Sequence, residues 1–257
     1  MPLAASPPGG LCEPAGVSAD AVEPRPRHSV GALFEAALRR FGARLGAYLA
    51  LTVVALVPTI VVFALLRDVD LGGFLDFGLA GFAYSLGIFG LCGVLTALVT
   101  DDLRGRIGVI AAAVGIASVA SGVLSGLFPP LAIVAFPVLA FIPIAVAAGD
   151  VSPVRAIGHA LGLAGRNLGS VYLVLVAIVI WAAANFFGFG IAFSPIGREA
   201  QRPLAVVAMT LLTWPVAALV LRNLYGDLTG RLVIRDADVK AREKALKRVG
   251  RKPEAPR

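Results

Sequence analysis

Side chains whose type and spacing could do chemistry are few in this sequence, and they fall into three groups. His28 and His159 are isolated and near the predicted surface, so neither has the nearby partner that a general base or a metal ligand needs. Cys12 lies in a Pro-rich stretch and Cys92 inside an apolar run, which assembles neither a disulfide framework nor a zinc spacing. The second group sits within apolar runs: Pro137 and Pro143, which would free backbone carbonyls, together with Trp181, Asn185 and Trp214, flanked by Thr210 and Thr213. These could line an intramembrane pocket, although helix packing and interhelical hydrogen bonds are the ordinary use of such residues. The third group is basic: Arg39, Arg40, Arg44, Arg155, Arg166, Lys240, Arg242, Lys244, Lys247 and Arg248, candidates for contact with lipid headgroups or a partner. No nucleophile stands with a base and no carboxylates cluster, so no catalytic, cofactor or metal site is expected and the chain is read as non-catalytic.

The elements that must carry these residues are set by composition. Hydrophobic residues make up 58% of the 257 and charged residues 15%, with a mean hydropathy of +0.86. Soluble domains hold about 45–50% apolar and about 25% charged residues, so the excess calls for a bilayer. A net charge of +7 on such a chain points to anionic lipid and away from nucleic acid.

Stretches free of Asp, Glu, Lys and Arg run over Leu45–Leu66, Phe77–Thr100, Ile107–Gly149, Asn167–Gly197 and Pro203–Leu221. About 20 residues cross about 30 Å of hydrocarbon. Four of these stretches hold one helix each, and the third breaks into two antiparallel spans at Phe128-Pro129-Pro130. The fold class is therefore all-α, a polytopic bundle of six transmembrane spans at about 45–66, 77–100, 107–127, 130–149, 168–193 and 203–223 within a membrane domain over 28–234. Residues 1–27, with six prolines and no aromatic residue, are expected to be a disordered tail, and 235–257 a basic one.

Of the 23 Lys and Arg, all but Arg67, Arg198 and Arg202 fall on one side if both termini are cytoplasmic, and translocating basic loops is disfavoured. Tyr48, Tyr172 and Tyr225 each fall near the cytoplasmic end of a span, where an amphipathic ring is at home. Two amphipathic helices, over 29–44 and 152–166, are expected to lie in the headgroup plane ahead of spans one and five. Shifted by 123 residues the two segments align without a gap, Ser29 on Ser152, Leu38 on Leu161, Gly42 on Gly165 and Gly46 on Gly169. A parallel repeat and shared surface-helix chemistry both produce that pattern. Gly87, Gly90 and Gly93 in span two, and Ala111, Gly115, Gly122 and Gly126 in span three, are expected to let helix backbones approach closely.

Three stretches carry a resemblance: Ser29-Val30-Gly31-Ala32-Leu33-Phe34, Asp150-Val151-Ser152-Pro153-Val154-Arg155-Ala156-Ile157, and Leu224-Tyr225-Gly226-Asp227-Leu228. Together they resemble the membrane-domain family named after glycerophosphoryl diester phosphodiesterases, over residues 29 to 235. The chain departs from that pattern at Asp150, where a Glu is typical, at His159-Ala160, where a basic residue and Ser are usual, and in the short segment between spans two and three. The resemblance implies a six-span protein of a bacterial plasma membrane. It does not imply phosphodiesterase activity, which belongs to a barrel domain for which this chain has no room. The expected function is a scaffold or accessory subunit whose partners are the bilayer, anionic lipids and a membrane or cytoplasmic protein, with no cofactor. The alternative is a small-solute permease or transporter subunit.

Overall fold

The computed structural model describes residues 28–66, 72–99 and 103–230. Both tails, including Lys240, Arg242, Lys244, Lys247 and Arg248, lie outside the described residues. Eight α-helices and a 3-10 turn make up the described residues, with no strand among them: α1 (Val30–Ala43), α2 (Leu45–Leu66), α3 (Gly73–Val99), α4 (Leu103–Leu127), α5 (Pro129–Ala147), α6 (Pro153–Arg166), α7 (Leu168–Ala192), the turn Ser194–Ile196 and α8 (Arg198–Leu228). Six of them, α2, α3, α4, α5, α7 and α8, are long and apolar enough to cross a membrane, so the chain is a multi-pass integral membrane protein.

Local chemistry sets the ends of these helices. Phe128 is extended at φ −161°, ψ 100°, and Pro129 and Pro130 occupy the first turn of α5, where a missing N–H costs nothing; α4 and α5 thus form a hairpin at the expected break. At the other end of α5, Gly149 adopts φ +82°. Its N–H bonds the Val146 carbonyl and that of Asp150 bonds Ala145, both at 3.0 Å, which closes the helix with a left-handed glycine cap.

Helices α3, α5 and α8 hold most of the core, with Phe89, Phe141, Ile144, Trp214 and Leu221 fully buried, whereas α2 and α7 are peripheral. The closest approach is between α3 and α4. A Cβ on Gly122 would stand 2.8 Å from the Gly78 carbonyl oxygen, and one on Gly126 2.8 Å from that of Phe74, so these backbones touch as only glycine permits. Ser85 donates to Ser121 across the same seam at 2.6 Å, and Thr59 of α2 donates to the Ala83 carbonyl at 2.7 Å. Gly87 receives the indole of Trp214, and Gly93 meets Ile110. Gly90 and Gly115, in contrast, have open space where a Cβ would go, and Ala111 is exposed. Residues at a spacing of three on one helix diverge by about 60°, so a partner helix selects some and leaves others.

Helices α3, α4 and α8 run beyond the charge-free stretches, α4 by starting at Leu103 ahead of Arg104 and Arg106. Helix α3 begins at Gly73 and takes Asp76 into its first turn, where a carboxylate favours the helix dipole. Helix α8 continues past Leu221 through Arg222, Asn223 and Asp227 to Leu228. His28 meets Asp227, so both ends of the described chain lie at one end of the bundle, the end that also carries α1 and α6.

Candidate functional site

Polar chemistry gathers at that end. Helix α1 buries Leu33, Ala37 and Phe41, spaced by four, and turns Glu35, Arg39 and Arg40 outward. Its N-cap Ser29 accepts from the Ala32 N–H at 3.3 Å. Helix α6 buries Ala156, Ala160, Leu163 and Ala164 and exposes Arg155 and Arg166; Pro153 starts it, and Ser152 makes no side-chain cap bond.

Each of these helices is held by the last turns of α8. Asn223 donates from Nδ2 to the Leu33 carbonyl at 3.2 Å. The Asp227 carboxylate accepts from His28 twice, from Nδ1 at 2.5 Å and from the backbone N–H at 3.3 Å. Asp227 is 1% exposed and His28 15%, so the contact is shielded from water. On the other side the Tyr225 hydroxyl donates to Asp150 Oδ2 at 2.5 Å and lies 3.1 Å from His159 Nε2. A hydroxyl has one proton, which here goes to Asp150, so His159 is the donor in the second bond. The glycine cap of α5 aims Asp150 into this contact, and the Arg106 guanidinium packs against Gly149. The three stretches that carry the family resemblance, far apart in sequence, therefore meet in space.

The expected basic residues separate into paired and unpaired. Arg39 pairs with Glu35 one turn away. Arg40, Arg44, Arg155 and Arg166 are exposed and meet no carboxylate among the described residues. Arg222, just beyond the last charge-free stretch, is a further unpaired cation, but a half-buried one: its Nε and Nη1 are buried without a hydrogen-bond partner among the described residues.

A second feature lies among the spans. A cavity of about 530 Å³ opens between α3, α4, α5, α7 and α8, lined by Tyr84, Ser85, Ser121, Ser125, Phe136 and Trp214 among others. Trp214 Nε1 donates to the Tyr84 hydroxyl at 2.8 Å, edge to face at 4.9 Å between centroids. Of the residues expected to line a pocket, Thr213 and Trp214 are in this lining; Thr210, Pro137, Pro143, Trp181 and Asn185 stand outside it. Pro137 and Pro143 are buried in the α5 core. Asn185 donates to the Trp181 carbonyl at 3.0 Å and to Thr213 at 3.4 Å, behind the cavity wall, and Trp181 Nε1 is buried without an acceptor. The signal for the cavity's polar wall was Tyr84-Ser85 in an apolar run and the Ser121/Ser125 pair one turn apart.

Among the described residues no three His, Cys, Asp or Glu side chains come together as a metal site requires. No family model, no curated protein and no solved structure matches the chain.

Proposed function

We propose that this integral membrane protein is a non-catalytic scaffold or accessory subunit that holds anionic lipid at the end built by α1, α6 and the last turns of α8, and that this end faces the cytoplasm of a bacterial cell. One observation carries the reading: Arg40, Arg44, Arg155 and Arg166 project from that end with no described carboxylate to neutralise them. Each basic residue near an anionic leaflet contributes about 1 kcal/mol, so four act together as a substantial electrostatic anchor even after screening. On this reading α1 and α6 are amphipathic helices in the headgroup plane, their buried rows turned to the bundle and their arginines to phosphate. The resemblance to the phosphodiesterase-associated membrane domains belongs to the same proposal. The three resembling stretches come together at this end, the first through the adjoining His28 on Asp227 and the second through Asp150 on Tyr225.

The test is reconstitution into phosphatidylcholine vesicles with and without phosphatidylglycerol, followed by extraction and analysis of the lipid retained on the protein. Wild type should enrich phosphatidylglycerol, and a variant with Arg40, Arg44, Arg155 and Arg166 all changed to Gln should lose most of that enrichment. Equal retention of both lipids by wild type defeats the proposal, as does turnover of a lipid or phosphodiester by the purified protein.

The cavity supports a second reading, a small-solute permease or transporter subunit, because 530 Å³ beside Trp214 is room for a small molecule within the span region. Selective solute flux from the same vesicles would favour it, and vesicles that stay tight to a panel of solutes retire it.

A further inference from the structure

Arg222 lies in the last turns of α8 at the place where α1 bends into α2. Its guanidinium is within electrostatic range of Arg40 on α1 and Tyr48 on α2. Nε and Nη1 are buried, and no acceptor among the described residues meets them. A buried cation with unmatched donors is among the more costly arrangements in a fold, and here a second cation of the same sign adds to the cost. The described carboxylates at this end are engaged elsewhere: Glu35 with Arg39, Asp150 with Tyr225, and Asp227 with His28. The acceptor that suits Arg222 and Arg40 therefore comes from outside these residues, and it carries negative charge.

The geometry points to a binding site for the phosphate group of a membrane lipid, formed by Arg222, Arg40 and the Tyr48 hydroxyl in the angle between α1, α2 and α8. This rests on the reading of the end built by α1, α6 and the last turns of α8 as an anionic-lipid surface and names a specific seat within it. Arginine forks present paired N–H donors that match two phosphate oxygens at once. The Tyr48 ring is positioned by stacking on Phe41, with centroids 6.0 Å apart, which leaves its hydroxyl as a further donor. A lipid fits better than free phosphate because α2 continues from the bend with Val53, Val54, Val57, Ile60 and Val61 exposed, a surface along which acyl chains can lie.

The experiment uses the full chain in phosphatidylcholine vesicles doped with phosphatidylglycerol, read by native mass spectrometry of the extracted protein. Arg222→Gln should reduce retained phosphatidylglycerol about tenfold, as expected for loss of a charge-assisted paired contact. Arg40→Gln should reduce it about fivefold, and Arg222→Lys, which keeps the charge without the fork, about threefold. Unfolding midpoints in phosphatidylcholine alone show whether each variant is folded, and Arg222→Lys decides the matter if the Gln variant is not. If wild type and the Arg222 variants retain phosphatidylglycerol equally, the site is overturned while the broader lipid reading stands on the exposed arginines. If wild type retains none, both fall. Displacement of the lipid by inorganic phosphate at matched ionic strength would reassign the site to free phosphate and overturn the lipid assignment.

Discussion

The bends joining α1 to α2 and α6 to α7 have the same backbone and opposite chemistry. Helices α1 and α6 are both 14 residues long, and every landmark is offset by 123 positions. Ser29 and Ser152 cap them at φ −71° with ψ 154° and 157°, and Arg44 and Asn167 turn the chain at φ −136°, ψ 39° and φ −129°, ψ 32°. The cap bonds correspond as well, Arg44 N–H to Phe41 and Asn167 N–H to Ala164, each 3.1 to 3.2 Å. Polar groups then diverge. At the second bend Asn167 is buried and donates to the Leu163 carbonyl at 2.9 Å, and His159, Tyr225 and Asp150 form a connected chain. At the first, Arg44 is exposed, and Arg222 stands nearby with buried donors unmatched. Capping and small residues determine the bend; the residues between them determine whether it is closed on itself or open to a ligand.

The largest separation of the two bends should come from Asp227→Ala. Removing one partner of a buried charged contact costs about 3 kcal/mol or more, and the loss should appear as faster hydrogen exchange in α1 with α6 nearly unchanged. Equal acceleration in both helices would show that the bends are not braced separately. Tyr225→Phe is the reciprocal change. It strips the donor from Asp150 and the acceptor from His159, should cost about 2 kcal/mol, and should loosen α6 before α1. Next comes Gly149→Ala, which forces a side chain into φ +82° and against the Arg106 guanidinium. A cost of about 1–3 kcal/mol, read as a lower unfolding midpoint in detergent, is expected because this glycine aims Asp150. The smallest effect tests the caps. Ser29→Ala should cost about 1 kcal/mol, since its hydroxyl oxygen accepts a bond, whereas Ser152→Ala, with no such bond, should stay within about 0.5 kcal/mol. Equal losses at the two serines would remove this distinction between the bends.

Much of the architecture could be read from residue order because a bilayer leaves the backbone few choices. The six spans, the break at Phe128-Pro129-Pro130 and both short helices emerged from charge-free runs, prolines and spacing, with ends within a few residues of those observed. Where the reading fell short, tertiary contacts decided. Helix α8 runs through Arg222 to Leu228, where Asn223, Tyr225 and Asp227 meet Leu33 on α1, Asp150 between α5 and α6, and His28 ahead of α1, contacts that no local count of charge reveals. Gly87 and Gly90 look alike in sequence, yet only Gly87 faces Trp214. The exposed arginines were legible as types, but which were paired was not: Arg39 has Glu35 four residues away, whereas the neighbours of Arg222 come from helices early in the chain. Of the cavity's lining only Thr213 and Trp214 are legible as pocket residues, since its other walls come from four further helices whose packing no local pattern reveals.

His28 and Asp227 are 199 positions apart, and this separation sets a timetable for biogenesis. At about 5–20 residues per second, α1 leaves the ribosome about 10–40 s before the stretch of α8 that covers Leu33 exists. During that interval the row Leu33, Ala37 and Phe41 has no protein to rest on. Nascent α1 must shelter it in the lipid surface or on the insertion machinery, and only the arrival of α8 releases it into its final place.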